Sequence, residues 1–200
     1  MTDVRGKATV ARLLSATLGC LAREGYARLN IEAITIEAGM TRGALFHHFE
    51  TKADLIARAA ALFLRTRHDR LQTLADQPDM ARADLGARLE LLRREVARDH
   101  ILYVEIANAL RSDKELSDKV QALDVPSLAD ETALYARLLP EAARDADGGA
   151  FIGLVMTFLH GLAAQGADLG PASGAAHESD RADKIFGSFA DMFTEHVLRR

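Results

Sequence analysis

The chain is predicted to be all-α, built from about nine helices, and three observations lead there. Proline is scarce, with four residues in 200. Alanine, leucine, arginine and glutamate dominate while β-branched runs are nearly absent, which favours helix over strand. Apolar residues also recur at helical spacing from the N-terminus onward. At 48% hydrophobic and 27% charged, the composition is that of a soluble globular chain of one or two small domains.

The first helix is expected over residues 7–24. Val10, Leu13, Leu14, Thr17, Leu18 and Leu21 follow the rhythm of an amphipathic stripe, and Gly25 supplies a left-handed stop. The same stretch imitates a lipoprotein signal, with Arg5 and Lys7 ahead of an apolar run ending in "TLGC" at Cys20. Arg12 interrupts that run and Thr17 stands where a large aliphatic residue is expected. The amphipathic helix is therefore the better reading, with Cys20 as packing. A single cysteine excludes an internal disulfide and a cysteine zinc cage, and it fits a cytoplasmic location.

Asn30 can cap a short second helix, "IEAITIEA", closed at Gly39. Thr41 caps a third, "RGALFHH", and Thr51 opens a fourth with Asp54 three residues on. Leu55, Ile56, Ala59, Leu62 and Phe63 carry the fourth past residue 66. Pro78 breaks the chain. Residues 81–99 and 100–111 read as two helices, and another is expected over 114–139 with a bend at Pro126.

Residues 148–167 form an uncharged run of membrane-spanning length. Its five glycines, His160, Gln165 and the lack of a flanking basic cluster point instead to burial between protein helices, with no membrane involved. Ala150, Gly153, Thr157, Gly161 and Ala164 make a small-residue stripe, apart from Ile152, Val155, Leu159 and Leu162. After a loop, "GPASGAAHES", the last helix presents Ile185, Phe186, Phe189, Met192 and Phe193 as a wide face that its own domain is expected to leave uncovered.

The chemistry concentrates in "GMTRGALFHHFETK", residues 39–52. Two short helices around a tight turn make a helix-turn-helix, whose second helix is the one that enters a major groove. Leu45 and Phe49 point inward with Ile34 and Ala38. Arg42, Gly43, Phe46 and His47 share the opposite face. Adjacent histidines project about 100° apart on a helix, so His47 and His48 do not readily share a metal. No metal site, cofactor or catalytic motif is recognised along the chain. His100, Tyr103, Glu105 and Asn108 cluster on one helix, where exposed surface or a polar pocket wall is the plainer reading than catalysis. Residues 1–52 hold seven Lys/Arg against five Asp/Glu, leaving the acidic excess of the chain to the remainder.

The segment "GYARLNIEAITIEAGMTRGALFHHFETKADLI" strongly resembles the DNA-binding segment of TetR-family transcriptional regulators. The likeness covers about 45 residues with uninterrupted spacing; beyond residue 70 it is one of length and helix count. It implies that Thr41, Arg42, Gly43 and Ala44 face base edges or nearby phosphates. It further implies that His47, His48 and Lys52 hold phosphates, and that Asn30 caps its helix and reaches one. Thr35, Met40 and Phe46 depart from the family's Ala, Val and Tyr. The last change removes a hydroxyl that reaches phosphate; the Phe46 ring either packs on a sugar or thymine methyl or is partly buried against the first helix.

The expected protein is thus a non-enzymatic, homodimeric, cytoplasmic repressor that binds a palindromic DNA operator. Residues 1–52 would bind DNA; residues 53–200 would bind a largely apolar small-molecule effector and form the dimer. The effector candidates are Tyr103, Asn108, Phe158 and His160. The dimer is expected through residues 148–167 and 180–198, which pair as a four-helix bundle in the family. The alternative is a helical binding module that uses residues 30–52 for a protein partner.

Overall fold

The computed structural model describes residues 2–144, 147–167 and 175–198, and within them every regular element is helical. The order is α1 (Thr2–Glu24), a 3-10 turn (Tyr26–Arg28), α2 (Ile31–Ala38), α3 (Arg42–His48), α4 (Lys52–Ala75) and α5 (Pro78–Arg82). Then follow α6 (Leu85–Ser112), α7 (Lys114–Gln121), α8 (Leu128–Leu138), α9 (Gly148–Ala167) and α10 (Ala175–Leu198). The all-α prediction holds, with ten α-helices against the nine expected.

Three differences have local causes. The expected break between residues 99 and 100 is absent: no glycine or proline stands there, and α6 runs through. Asp84 opens it, its carboxylate accepting the Ala87 N–H at 2.7 Å. Pro126 ends a segment instead of bending one. It disfavours helix at Val125, and Ser127 with Asp130 forms a complete capping box that starts α8 afresh. Finally, α10 begins at Ala175, inside the stretch read as a loop.

The sequence divided the chain after residue 52, whereas compactness divides it differently. One unit is Met1–Arg67 with Ile101–Pro126; the other is His68–His100 with Ser127–Arg200. In the first, α1–α4 bury Leu13, Cys20, Leu21, Ile34, Leu45, Phe49, Leu55 and Ile56. Ile106 and Ala109 of α6 with Leu116 and Val120 of α7 complete that core, which is why these later helices join it. Tyr26 adds a polar tie. Its N–H donates to Glu105 Oε2 at 2.9 Å and its hydroxyl to Asp113 Oδ2 at 2.6 Å. Burial and the Asp113 carboxylate push the phenol up to about 12. Glu105 is thereby occupied with structure.

In the second unit, Ile152, Val155, Leu159 and Leu162 of α9 pack with Leu134, Leu138, Phe186, Phe189 and Phe193. By length and composition Gly148–Gln165 could cross a membrane, but this packing is that of a core helix on one face. In the single chain one face is covered, while Gly149, Ala150, Gly153, Leu154, Thr157 and Gly161 are exposed. The expected uncovered aromatic face of α10 is corrected. Phe158 stacks on Phe189 at 3.8 Å and Phe151 lies 6.1 Å from Phe193, so α9 covers those rings. Of that face Met192 remains open, 64% exposed.

Candidate nucleic-acid interface

Two side-chain caps set the geometry of α2 and α3. Asn30 Oδ1 accepts the Ala33 N–H at 2.9 Å, and Thr41 Oγ1 accepts the Ala44 N–H at 3.2 Å. Between the helices Gly39 takes φ 61°, a left-handed conformation that a side chain would strain. Space is tight as well, since a Cβ there would sit 3.3 Å from Arg12 Nη2. That guanidinium donates to the Ala38 carbonyl at 2.6 Å. Arg12, which in sequence merely interrupts an apolar run, thus fastens the turn to α1.

With Ile34, Ala38, Leu45 and Phe49 buried, α3 turns its other side outward. Thr41, Arg42, Gly43, Phe46 and His47 are exposed, and Ala44 and His48 half-buried. Asn30 and Lys52 are exposed at the starts of α2 and α4. The Arg42 guanidinium lies 5.5 Å from the Phe46 ring centroid, and the two histidine rings meet edge-on at 5.2 Å. A Cβ on Gly43 would meet only Thr41 Oγ1, at 4.0 Å, so the backbone there is open. Thr35, the departure inside α2, is buried with its hydroxyl donating to the Glu32 carbonyl at 2.9 Å.

Lys52 has a second occupation. Its Nζ donates to the Leu29 carbonyl, tying the start of α4 to the loop before α2. At the same corner Thr51 Oγ1 accepts the Asp54 N–H at 3.0 Å, and Asp54 accepts from Glu50 N. Arg12 and Lys52 together hold the helix pair from both sides. Neither contact was legible in sequence, because each joins residues more than twenty positions apart.

The four residues selected as effector contacts are divided between the two compact units. Tyr103 and Asn108 belong to the first compact unit, Phe158 and His160 to the second. The Tyr103 ring lies under the Arg67 guanidinium, 4.7 Å from centroid to carbon, and Asn108 Oδ1 accepts from Arg111 at 2.6 Å. Phe158 is stacked on Phe189, and His160 faces His100. A groove of about 730 Å³ opens between α8 and α9, lined by Leu128, Thr132, Ala136, Gly148 and Ile152 among others, and none of the four lines it.

Residues 13–59 match the family described as bacterial regulatory proteins, tetR family. An uncharacterised HTH-type transcriptional regulator of Mycobacterium tuberculosis is 39% identical over 122 residues, 58% of this chain and 60% of its own length. The matched region thus spans less than two thirds of that relative. A DNA-binding transcriptional repressor TetR of Mycobacteroides abscessus is 29% identical over 147 residues, 72% of this chain and 75% of its own. The crystal structure of a TetR transcription regulator from Haloarcula marismortui has the same fold at 20% identity. Its TM-score is 0.64, over 93% of this chain and 98% of that one. The helix-turn-helix segment thus matches the DNA-binding region of the TetR family of transcriptional regulators, and the fold is one that members of that family share.

Proposed function

We propose that the protein is a DNA-binding transcriptional repressor, acting as a homodimer on a palindromic operator and released by a small-molecule effector. DNA reading is assigned to residues 1–52, effector binding and pairing to 53–200. The observation that carries the reading is α3, a short capped helix clamped on both flanks with Arg42, Gly43, Phe46 and His47 on its open side. Such an element suits base-edge contact from Arg42 and close backbone approach at Gly43, with phosphates held by Asn30, Thr41, His47 and His48. Lys52 serves as a phosphate contact only alongside its hold on Leu29. Ala44, half-buried, is a minor contact by this assignment. The exposed small stripe of α9 and Met192 of α10 support pairing through these helices. Any effector must bind the two dimer geometries unequally, so operator DNA and effector weaken each other by the same factor.

Selection from a random DNA pool, followed by fluorescence anisotropy on the enriched sequence, tests this. A palindromic site bound tightly, with affinity falling steeply as salt rises, is the expected outcome. Failure to bind DNA at low salt would leave the helical binding-module reading in its place.

Phe46 offers a second measurement. The ring is 38% exposed, so its edge has room for a hydroxyl. Phe46→Tyr is expected to strengthen operator binding by roughly 0.5–1.5 kcal/mol, the net value of one hydrogen bond to phosphate. Urea melts should change by less than about 0.5 kcal/mol. A large loss of stability would assign the ring to packing and remove Phe46 from the interface.

A further inference from the structure

We infer that His100 of α6 and His160 of α9 form a two-imidazole site for a late first-row divalent cation of the Zn²⁺, Co²⁺ or Ni²⁺ class. His100 is 7% exposed and His160 half-buried, and both lie in the second compact unit. Their sequence neighbours there, Val96 one turn before His100 and Leu159 beside His160, are core residues. A buried imidazole in such surroundings needs a polar partner. One such partner is the other imidazole, with Nδ1 facing Nδ1 at 3.4 Å.

That distance accommodates a shared ion as well as a long direct bond. Hydrogen bonds from nitrogen span about 2.7–3.2 Å, so 3.4 Å is long for one imidazole donating to the other. Two nitrogens bound tetrahedrally to one ion, each at about 2.0–2.1 Å, are about 3.3–3.4 Å apart. The ring centroids lie 5.7 Å apart with planes 40° from each other. Imidazole nitrogen selects zinc, cobalt and nickel; magnesium and calcium call for oxygen ligands. Among the described residues no third His, Cys, Asp or Glu joins the pair. The remaining positions therefore go to water or to a donor atom of a bound molecule. The site would bridge helices 60 residues apart in sequence. No ligand-spaced motif announces such a pair, and the sequence accordingly suggested a hydrogen-bonded or pocket role for His160 and no metal. The assignment is independent of the DNA-binding proposal.

The test uses the full-length chain without an affinity tag, stripped with chelator, dialysed, and titrated with Co²⁺. The expected result is one ion per chain with visible d–d absorption, and a melting temperature that rises with Co²⁺ or Zn²⁺. His160→Gln, at the less buried position, should weaken binding about tenfold or more and abolish the thermal shift. His47→Ala with His48→Ala should retain both signals, excluding the exposed pair as the source. Equal binding by the wild type and His160→Gln would overturn the site. So would a wild-type chain whose absorption and melting temperature ignore both ions, a result that stands even if His160→Gln does not fold.

Discussion

Gly161→Leu is expected to convert the proposed dimer into monomers and to weaken operator binding with it. Gly161 lies on the exposed strip of α9 with Gly149, Gly153, Leu154 and Thr157. In the single chain a Cβ at Gly161, or at Gly153, meets no atom within 4 Å. A side chain there starts into open space in its own chain, and leucine improves helix propensity by up to about 1 kcal/mol. Loss of pairing then has one source, the partner's surface. Across a two-fold axis the substitution acts twice, and overpacking costs about 1–3 kcal/mol at each copy. Sedimentation velocity should show monomers where the wild type shows dimers, with an unchanged or raised melting temperature after correction for dissociation. A dimer that survives the leucine would put the interface on another face.

The stripe of small residues was legible because helical periodicity alone places Ala150, Gly153, Thr157 and Gly161 together. Its partner argument failed: the phenylalanines of α10 looked uncovered, yet Phe151 and Phe158 on the same α9 pack against them. Periodicity says which face is apolar. It does not say which element covers it.

The same division runs through the candidate interface. Asn30, Thr41 and Gly39 are local devices whose partners lie within five residues, and each occurs as the sequence indicates. The inward set Ile34, Ala38, Leu45 and Phe49 follows from spacing and is buried. By contrast, the hold of Arg12 on Ala38, of Lys52 on Leu29 and of Tyr26 on Asp113 depends on tertiary assembly. The effector residues were chosen as polar or aromatic groups in apolar surroundings, a criterion without geometry, and they fall into two compact units. The continuity of α6 was missed for a simpler reason: a helix was divided where no breaker stands.

Arg42→Ala is expected to cost the dimer about 2–6 kcal/mol on its operator, from about 1–3 kcal/mol for each guanidinium paired with a guanine edge. Arg42 is the first residue of α3 and is exposed. Among the described residues it forms no ion pair, and its contact within the chain is the Phe46 ring at 5.5 Å. No internal bond has to break before it meets DNA. Nor does the fold explain it, because a cation at a helix N-terminus opposes the helix dipole. Alanine should therefore leave thermal stability unchanged or slightly raised. Anisotropy titrations on the preferred site and on variants at each half-site position separate the possible roles. Reading a base predicts a large loss on the preferred site and relaxed selectivity at one position per half-site. Lys52→Ala should instead weaken all sequences evenly, with some loss of stability as the Leu29 carbonyl is released. Unchanged operator affinity in Arg42→Ala would mean that the open side of α3 is not the reading face.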